Sequence, residues 1–323
     1  MFPRTQPRSL MIIKTEQDVT AAVLAEAERA PDPRFREILV AAVHHLHDFV
    51  RDARLTEAEF YSLCSVIARA GQMTTSSHNE VVLAAGSLGV SFLVLLLNNS
   101  EGGRLTTANL LGPFWRTGAP VLENGASLVR GSSAGKPIFV TARVLDLGGR
   151  PVAGARVDVW HASAEGLYEN QDPRQAEMNL RGTFQTNDEG KIWFRSIKPC
   201  GYPIPVNGPV GDLLRAQGRH NLRPAHIHFL ISKPSFKTQF SQVYSRDDPN
   251  LETDVQFAVT KPLIGHYRLH EANEAAPGPD VTGQWYSLEH EFRLVPGESK
   301  LPPAPIAGKA TEVPQLEILP TRN

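Results

Sequence analysis

The chain has 323 residues, 41% hydrophobic and 21% charged, with a formal net charge of -1, the balance of a globular protein with room for about two domains. So neutral a chain offers no basic field to nucleic acid or to an anionic membrane surface. Its two cysteines, Cys64 and Cys200, exclude a disulfide framework and a cysteine-built zinc site, and they suit a reducing cytoplasm.

The N-terminal MFPRTQPRSLMIIK has no apolar run long enough for a secretory signal. In RFREILVAAVHHLHDFVRD, the residues Phe35, Ile38, Leu39, Ala42, Val43, Leu46, Phe49 and Val50 recur at helical steps and predict an amphipathic helix. Thr56 with Glu59, and Ser77 with Glu80, have capping-box spacing and open two further helices. The second leads into VVLAAGSLGVSFLVLLLNN, predicted as one helix over Val81–Leu97 that is buried in a core or between subunits. Its glycines and serines make it a poor membrane span, and NNSEGG stops it.

From Thr106 the period changes. PIFVTARVLDLGGRPVAGARVDVWHA and GTFQTNDEGKIWFRSI alternate apolar and polar residues around turns at LGGRP and Asn187–Gly190. AHIHFLIS, QFSQVYS, DVQFAVT and YSLEHEFRLV read as further strands. The expected architecture is mixed α and β: a helical N-terminal domain over residues 1–105, then a mostly antiparallel β-sandwich over 106–300. A Pro-rich tail over 301–323 is expected to lie extended on the surface.

The chemistry gathers in the second half. In RPAHIHFLISKP, His226 and His228 point to the same side of a strand while Ile227 points to the other. Buried imidazoles so placed want hydrogen bonds, a charge or a metal. Tyr168 in AEGLYENQD and Tyr202 in KPCGYPIPVNG stand at turn-like positions. Taken alone, each reads as an ordinary amphipathic rim residue. Joined to the histidines they would form a two-histidine, two-tyrosine set suited to Fe(III). An Asp or Glu beside the same histidines would instead make the Fe(II) two-histidine-one-carboxylate set, and spacing alone leaves both open.

GARVDVWHASAEGLYENQ, LRGTFQTNDEGKIWFRSIKPCGYPIPVNGPVGDLL and GRHNLRPAHIHFLIS closely resemble the intradiol ring-cleavage dioxygenases, the catechol and hydroxyquinol 1,2-dioxygenase group. LHDFVRDARLTEAEF and LGVSFLVLLLNN resemble that family's helical domain, and LLGPFW its linker. The resemblance implies one Fe(III) per subunit, held by axial Tyr202 and His228 and equatorial Tyr168 and His226, with a solvent hydroxide and no organic cofactor. It also implies that Arg223 contacts the bound ring, that Gln242 lies beside it, and that Leu83, Gly86, Leu111 and Phe114 line the pocket. A homodimer through the helical domain, with phospholipid at the interface, follows from the same resemblance.

LLGPFW and the YPIPVNGPVGDLLRAQGRHNLRPAHIHF run lean toward hydroxyquinol as substrate, and Gln242 toward catechol or substituted catechols. The family's hydroxyquinol enzymes carry an acidic residue where this chain has Gly86, which is expected to leave room for a bulkier diol. VTARVLDLGGRPVAGARVDVW also resembles prealbumin-like sandwich modules, a non-enzymatic reading that needs neither the tyrosines nor the histidine pair.

Overall fold

The computed structural model describes residues 12–75, 78–99, 106–278, 281–314 and 316–321. The chain packs as two compact units, Met1–Val66 and Ile67–Asn323. In the first, α1 (Glu16–Ala27) opens with a capping box from Thr15 and Asp18, and Thr20 bonds His47 of α2 (Pro33–Ala53). The α2 stripe is mostly uncovered: Phe35, Ile38, Leu46, Phe49 and Val50 are exposed, and only Val43 of the helix is buried. Thr56 and Glu59 cap α3 (Glu57–Met73) reciprocally, as their spacing predicts.

The helix expected over Val81–Leu97 is broken. It forms α4 (Glu80–Ser87) and α5 (Val90–Asn99), bent by 75°. Gly89 between them has φ +75°, a left-handed backbone that a helix interior does not accept and glycine adopts freely. Val81, Val82, Leu88, Val90, Leu93, Val94 and Leu97 are exposed in the single chain, so the core alternative does not account for the pair. No single described helix is long and apolar enough to cross a membrane; the bent pair meets that test by length and composition only. The α4 cap is Asn79, whose side chain accepts from Val82 N–H. Ser77, expected in that role, lies outside the described residues. Glu80 is buried, and its Oε1 accepts from Val210 N–H at the start of α6 (Pro209–Gln217), which has no side-chain cap of its own.

Two sheets make the sandwich. One runs β10 (Arg268–His270), β11 (Trp285–Leu294), β1 (Pro137–Asp146), β4 (Lys191–Ile197). The other runs β3 (Arg181–Gln185), β2 (Arg156–His161), β7 (His226–Ser232), β8 (Gln239–Ser245), β9 (Ile264–Gly265). A two-stranded ribbon of β5 (Tyr202–Pro203) and β6 (Leu222–Arg223) stands apart. Pairings are antiparallel except β1 with β11 and β8 with β9. The alternation of β1 turns Ile138, Val140, Ala142 and Val144 inward against Val157 and Val159 of β2, Ile227, Phe229 and Ile231 of β7, and Phe292 of β11. LGGRP turns as expected, with Gly149 N–H donating to Asp146 O and Asp146 N–H to Arg150 O, but β1 and β2 on either side of it belong to different sheets.

DVQFAVT does not form the expected strand. The Asp254 carboxylate accepts from Gln256 and Ala258 N–H, and Phe257 N–H bonds Asp254 O. A side chain that captures its own downstream backbone donors competes with a sheet ladder, and here it wins. The C-terminal tail has neither helix nor strand among its described residues, yet Ile306 and Leu319 are buried.

Phe229 is fully buried between the sheets, against Phe194 and Phe292. Phe229→Ala is therefore expected to lower the unfolding free energy by about 3–5 kcal/mol, read from the urea midpoint. A loss below about 1 kcal/mol would contradict this packing.

Candidate metal centre

β7 has two unlike faces. Ile227, Phe229 and Ile231 enter the sandwich, so His226, His228 and Leu230 fall on the outer face of the sheet. That face is not open to solvent, because His226 and His228 are each only 1% exposed. The β2–β3 connection brings Tyr168 over them, and Tyr202 arrives on β5. Tyr168, Tyr202 and Leu230 form an apolar cluster with Trp115 and Trp160, flanked by Leu111 and Phe114. The Phe114 ring lies 4.5 Å from that of Tyr168 and 6.5 Å from that of Tyr202, centre to centre.

The polar ends of the four side chains meet. Tyr168 Oη lies 2.9 Å from His228 Nε2 and 3.4 Å from both His226 Nε2 and Tyr202 Oη, while the two Nε2 atoms are 3.1 Å apart. Donor atoms bound at ~2.0–2.2 Å to one first-row metal ion stand ~3 Å from their nearest neighbours, so this spacing fits a shared ion. His226 Nδ1 is 2.7 Å from Pro224 O, which can only accept. The proton is thus on Nδ1, and the Nε2 lone pair faces the cluster. His228 Nδ1 is buried without a partner. Its ring stacks on Trp160, centroids 4.6 Å apart and planes within 9°. Gly112 closes the other side: a Cβ there would stand 3.1 Å from His228 Cε1, and its φ is +75°. No group of three or more His, Cys, Asp or Glu among the described residues could share a metal. Phenols, not carboxylates, flank the imidazoles.

Burial sets the charge states. It holds His226 down at about 3 and His228 well below the ordinary imidazole value, so both are neutral at pH 7. It pushes the Tyr168 phenol well above its usual range, so this phenol ionises near neutrality only beside a cation.

Arg223 is paired with Tyr202 across the β5–β6 ribbon. Its Nε and Nη2 donate to the two oxygens of buried Asp254, each at 3.2 Å, and Nη2 also donates to Tyr244 Oη at 2.7 Å. Tyr244 Oη donates to Gln242 Oε1, and Gln242 Nε2 donates to Leu110 O, both at 2.7 Å. The β7–β8 register sets Gln242 opposite His228 and Tyr244 opposite His226. Arg223 and Gln242 therefore belong to one buried chain of hydrogen bonds beside the donor cluster. Leu83 lies elsewhere, against Ile204, Val206 and Val255. At Gly86 the room left by the missing side chain is not empty: a Cβ would fall 1.8 Å from Gln256 Oε1, and Gln256 Nε2 donates to Ser87 Oγ.

Sequence reasoning missed Tyr244, Asp254, Trp160, Gly112 and Gln256. Tyr244 had a signal, since pairing AHIHFLIS with QFSQVYS puts it on the histidine face. Asp254 had none, because its strand-like phrase concealed a turn.

Four buried imidazoles, His161, His226, His228 and His290, give the metal-free chain a defined acid response. His226 is held at about 3, and His161 and His290 at about 4, each mainly by burial. The unfolded chain titrates these groups near 6.5. Stability is then full above about pH 6.5 and declines below it, because the unfolded state binds protons the folded state refuses. Asp254, depressed by Arg223 against the opposing effect of burial, adds to the loss at lower pH. Urea midpoints of metal-free protein should fall steadily from about pH 7 to 5; a rise would contradict the buried neutral state.

A family model described as "Catechol dioxygenase N terminus" matches residues 32–104, and one described as "Dioxygenase" matches residues 110–295. The chain is 37% identical over 281 residues to a hydroxyquinol 1,2-dioxygenase of Rhizobium sp. (strain MTP-10005), covering 86% of this chain and 95% of that protein. It is 36% identical over 290 residues to a catechol 1,2-dioxygenase of Candida albicans, covering 88% and 94%. A solved hydroxyquinol 1,2-dioxygenase from Pseudomonas putida DLL-E4 superposes with a TM-score of 0.80 at 36% identity, covering 87% of this chain and 99% of that one. Matches of this extent, spanning helices and sandwich alike, place the chain in the intradiol ring-cleavage dioxygenase family.

Proposed function

We propose that this chain is an Fe(III) dioxygenase that cleaves hydroxyquinol (benzene-1,2,4-triol) between its adjacent hydroxyl-bearing carbons. Both atoms of O2 enter the product, 3-hydroxy-cis,cis-muconate, a tautomer of maleylacetate. Tyr168, Tyr202, His226 and His228 hold the ion, and no organic cofactor takes part. The observation carrying this reading is the convergence of four donor atoms at 2.9–3.4 Å contacts on a buried face. Two phenolates would offset most of the charge of a ferric ion, and neutral imidazoles suit iron.

A ferric ion held by Tyr168, Tyr202, His226 and His228 would supply Lewis acidity and an electron acceptor beside the bound diol. Tyr202 Oη accepts the proton of one diol hydroxyl as the diol binds. Arg223 remains cationic throughout and stabilises negative charge building on the ring. Asp254 and Tyr244 hold its guanidinium in place. Gln242, fixed by Tyr244 and Leu110 O, presents an oriented amide beside His228. Leu111 and Phe114 supply apolar cover over the phenols and limit water.

A second reading, cleavage of catechol, substituted catechols or pyrogallol to muconates, draws support from Gly86 and Gln256. A neutral amide there replaces the acidic partner expected for a triol. Residues 1–105 serve as the dimerisation domain, 106–300 as the catalytic domain and 301–323 as a tail. The exposed apolar stripe of α2 supports a homodimer with phospholipid at its interface. Unpaired Cys64 and Cys200 support a cytoplasmic site of action.

Oxygen uptake by iron-loaded protein with hydroxyquinol, catechol, pyrogallol and methylated or chlorinated diols tests the proposal. Stoichiometric uptake with ring-opened dicarboxylates supports it, and hydroxyquinol is expected to be turned over fastest. Colourless, inactive protein after iron loading would favour the sandwich-module alternative. A semialdehyde product would refute intradiol cleavage. Tyr202→Phe is expected to alter the visible tyrosinate-to-iron absorption and slow turnover at least about 100-fold; an unchanged spectrum and rate would remove Tyr202 from the ligand set.

A further inference from the structure

The tail beyond the sandwich touches both tyrosine-bearing segments. Ala304 packs against the cluster that contains Tyr168 and Tyr202, and Ile306 is buried nearby in sequence. Ala310 N–H donates to Asn170 O at 2.7 Å, Lys309 Nζ donates to Gln175 O, and Arg116 Nη2 donates to Ala307 O at 3.3 Å. Arg116 and Arg181 also donate to Glu169 Oε1, each at 2.7 Å, directly beside Tyr168.

Farther along, Leu319 is buried with Ile204, Val206 and Val255. Fully buried Asn221 donates to Glu317 O at 2.9 Å and accepts from Leu319 N–H at 3.0 Å. The same amide donates to Ile204 O at 2.7 Å, two residues after Tyr202. These contacts lie beyond residue 295, where the family match ends.

We infer that residues 304–314 and 316–319 act as a strap that holds the loops of Tyr168 and Tyr202 against the histidine pair, with Asn221 and Leu319 as positioning residues. This rests on the ligand assignment above. The histidines stand on a central strand and are placed by the sheet. The phenols come from a loop and a two-residue strand, which must otherwise be ordered when the ion binds. A strap that orders them beforehand raises metal affinity without touching the metal.

The test uses full-length protein carrying Ile306→Ser with Leu319→Ser, and separately Ala310→Pro, which removes the donor to Asn170 O. Ala310→Gly keeps that donor and serves as the rescue. Ferric affinity by chelator competition should fall about tenfold in the first two. Their tyrosinate-to-iron absorption should weaken or shift, while Ala310→Gly stays near wild type. The thermal midpoint of each metal-free protein separates positioning from general unfolding, and Ala310→Pro decides should the double variant not fold. Wild-type affinity and absorption in Ala310→Pro would overturn the strap. Absence of that absorption in the wild type would instead sink the ligand assignment.

Discussion

Two imidazole nitrogens 3.1 Å apart on the outer face of one strand are the constraint that the second unit is built to meet. The sandwich core fixes them, because Ile227, Phe229 and Ile231 on the same strand are locked between the sheets. Their neighbours are then the only freedom left. Trp160 and Gly112 close on His228, Pro224 O fixes the tautomer of His226, and the phenols fill the remaining directions. Lone pairs aimed at one point in a site screened from water need a positive charge between them.

Charge is arranged around that point in two buried sets. Arg223 with Asp254 stands on the Tyr202 side, and Arg116 and Arg181 share Glu169 on the Tyr168 side. Neither set is a simple stabilising ion pair, since removing such charges from water costs about as much as their attraction returns. Their value lies in direction: Arg223 from one set and Arg181 from the other both favour ionisation of the Tyr168 phenol, which burial alone would keep neutral. Two of the pairing acids, Glu169 and Asp254, lie beside Tyr168 or within the turn that replaced a strand, so local backbone structure and electrostatics are joined.

The helical parts follow another logic. Their apolar stripes have regular spacing, yet the side chains of α2 and of α4 and α5 stay largely exposed in the single chain. A stripe of that size in water is costly. Among the described residues the sandwich strands expose large apolar side chains only singly, such as Trp193 and Leu269, because their alternation is consumed by two facing sheets and by the cover over β7.

Much of this was legible in the residues alone. Period-two alternation marked the strands, and the same-face placement of His226 and His228 is a property of any strand, independent of its neighbours. Capping chemistry at Thr56 and Glu59 is equally local and appeared as read. What the tertiary structure decided was every relation between distant segments: that Tyr168 and Tyr202 reach the histidines, that Arg223 faces Tyr202, and that Tyr244 stands across from His226. It also overruled two local readings, where Gly89 broke a continuous apolar helix and Asp254 turned a strand-like phrase into a loop serving Arg223. Periodicity reports which face of an element seeks burial. It carries no record of which partner arrives there, because that depends on register and packing between segments far apart along the chain.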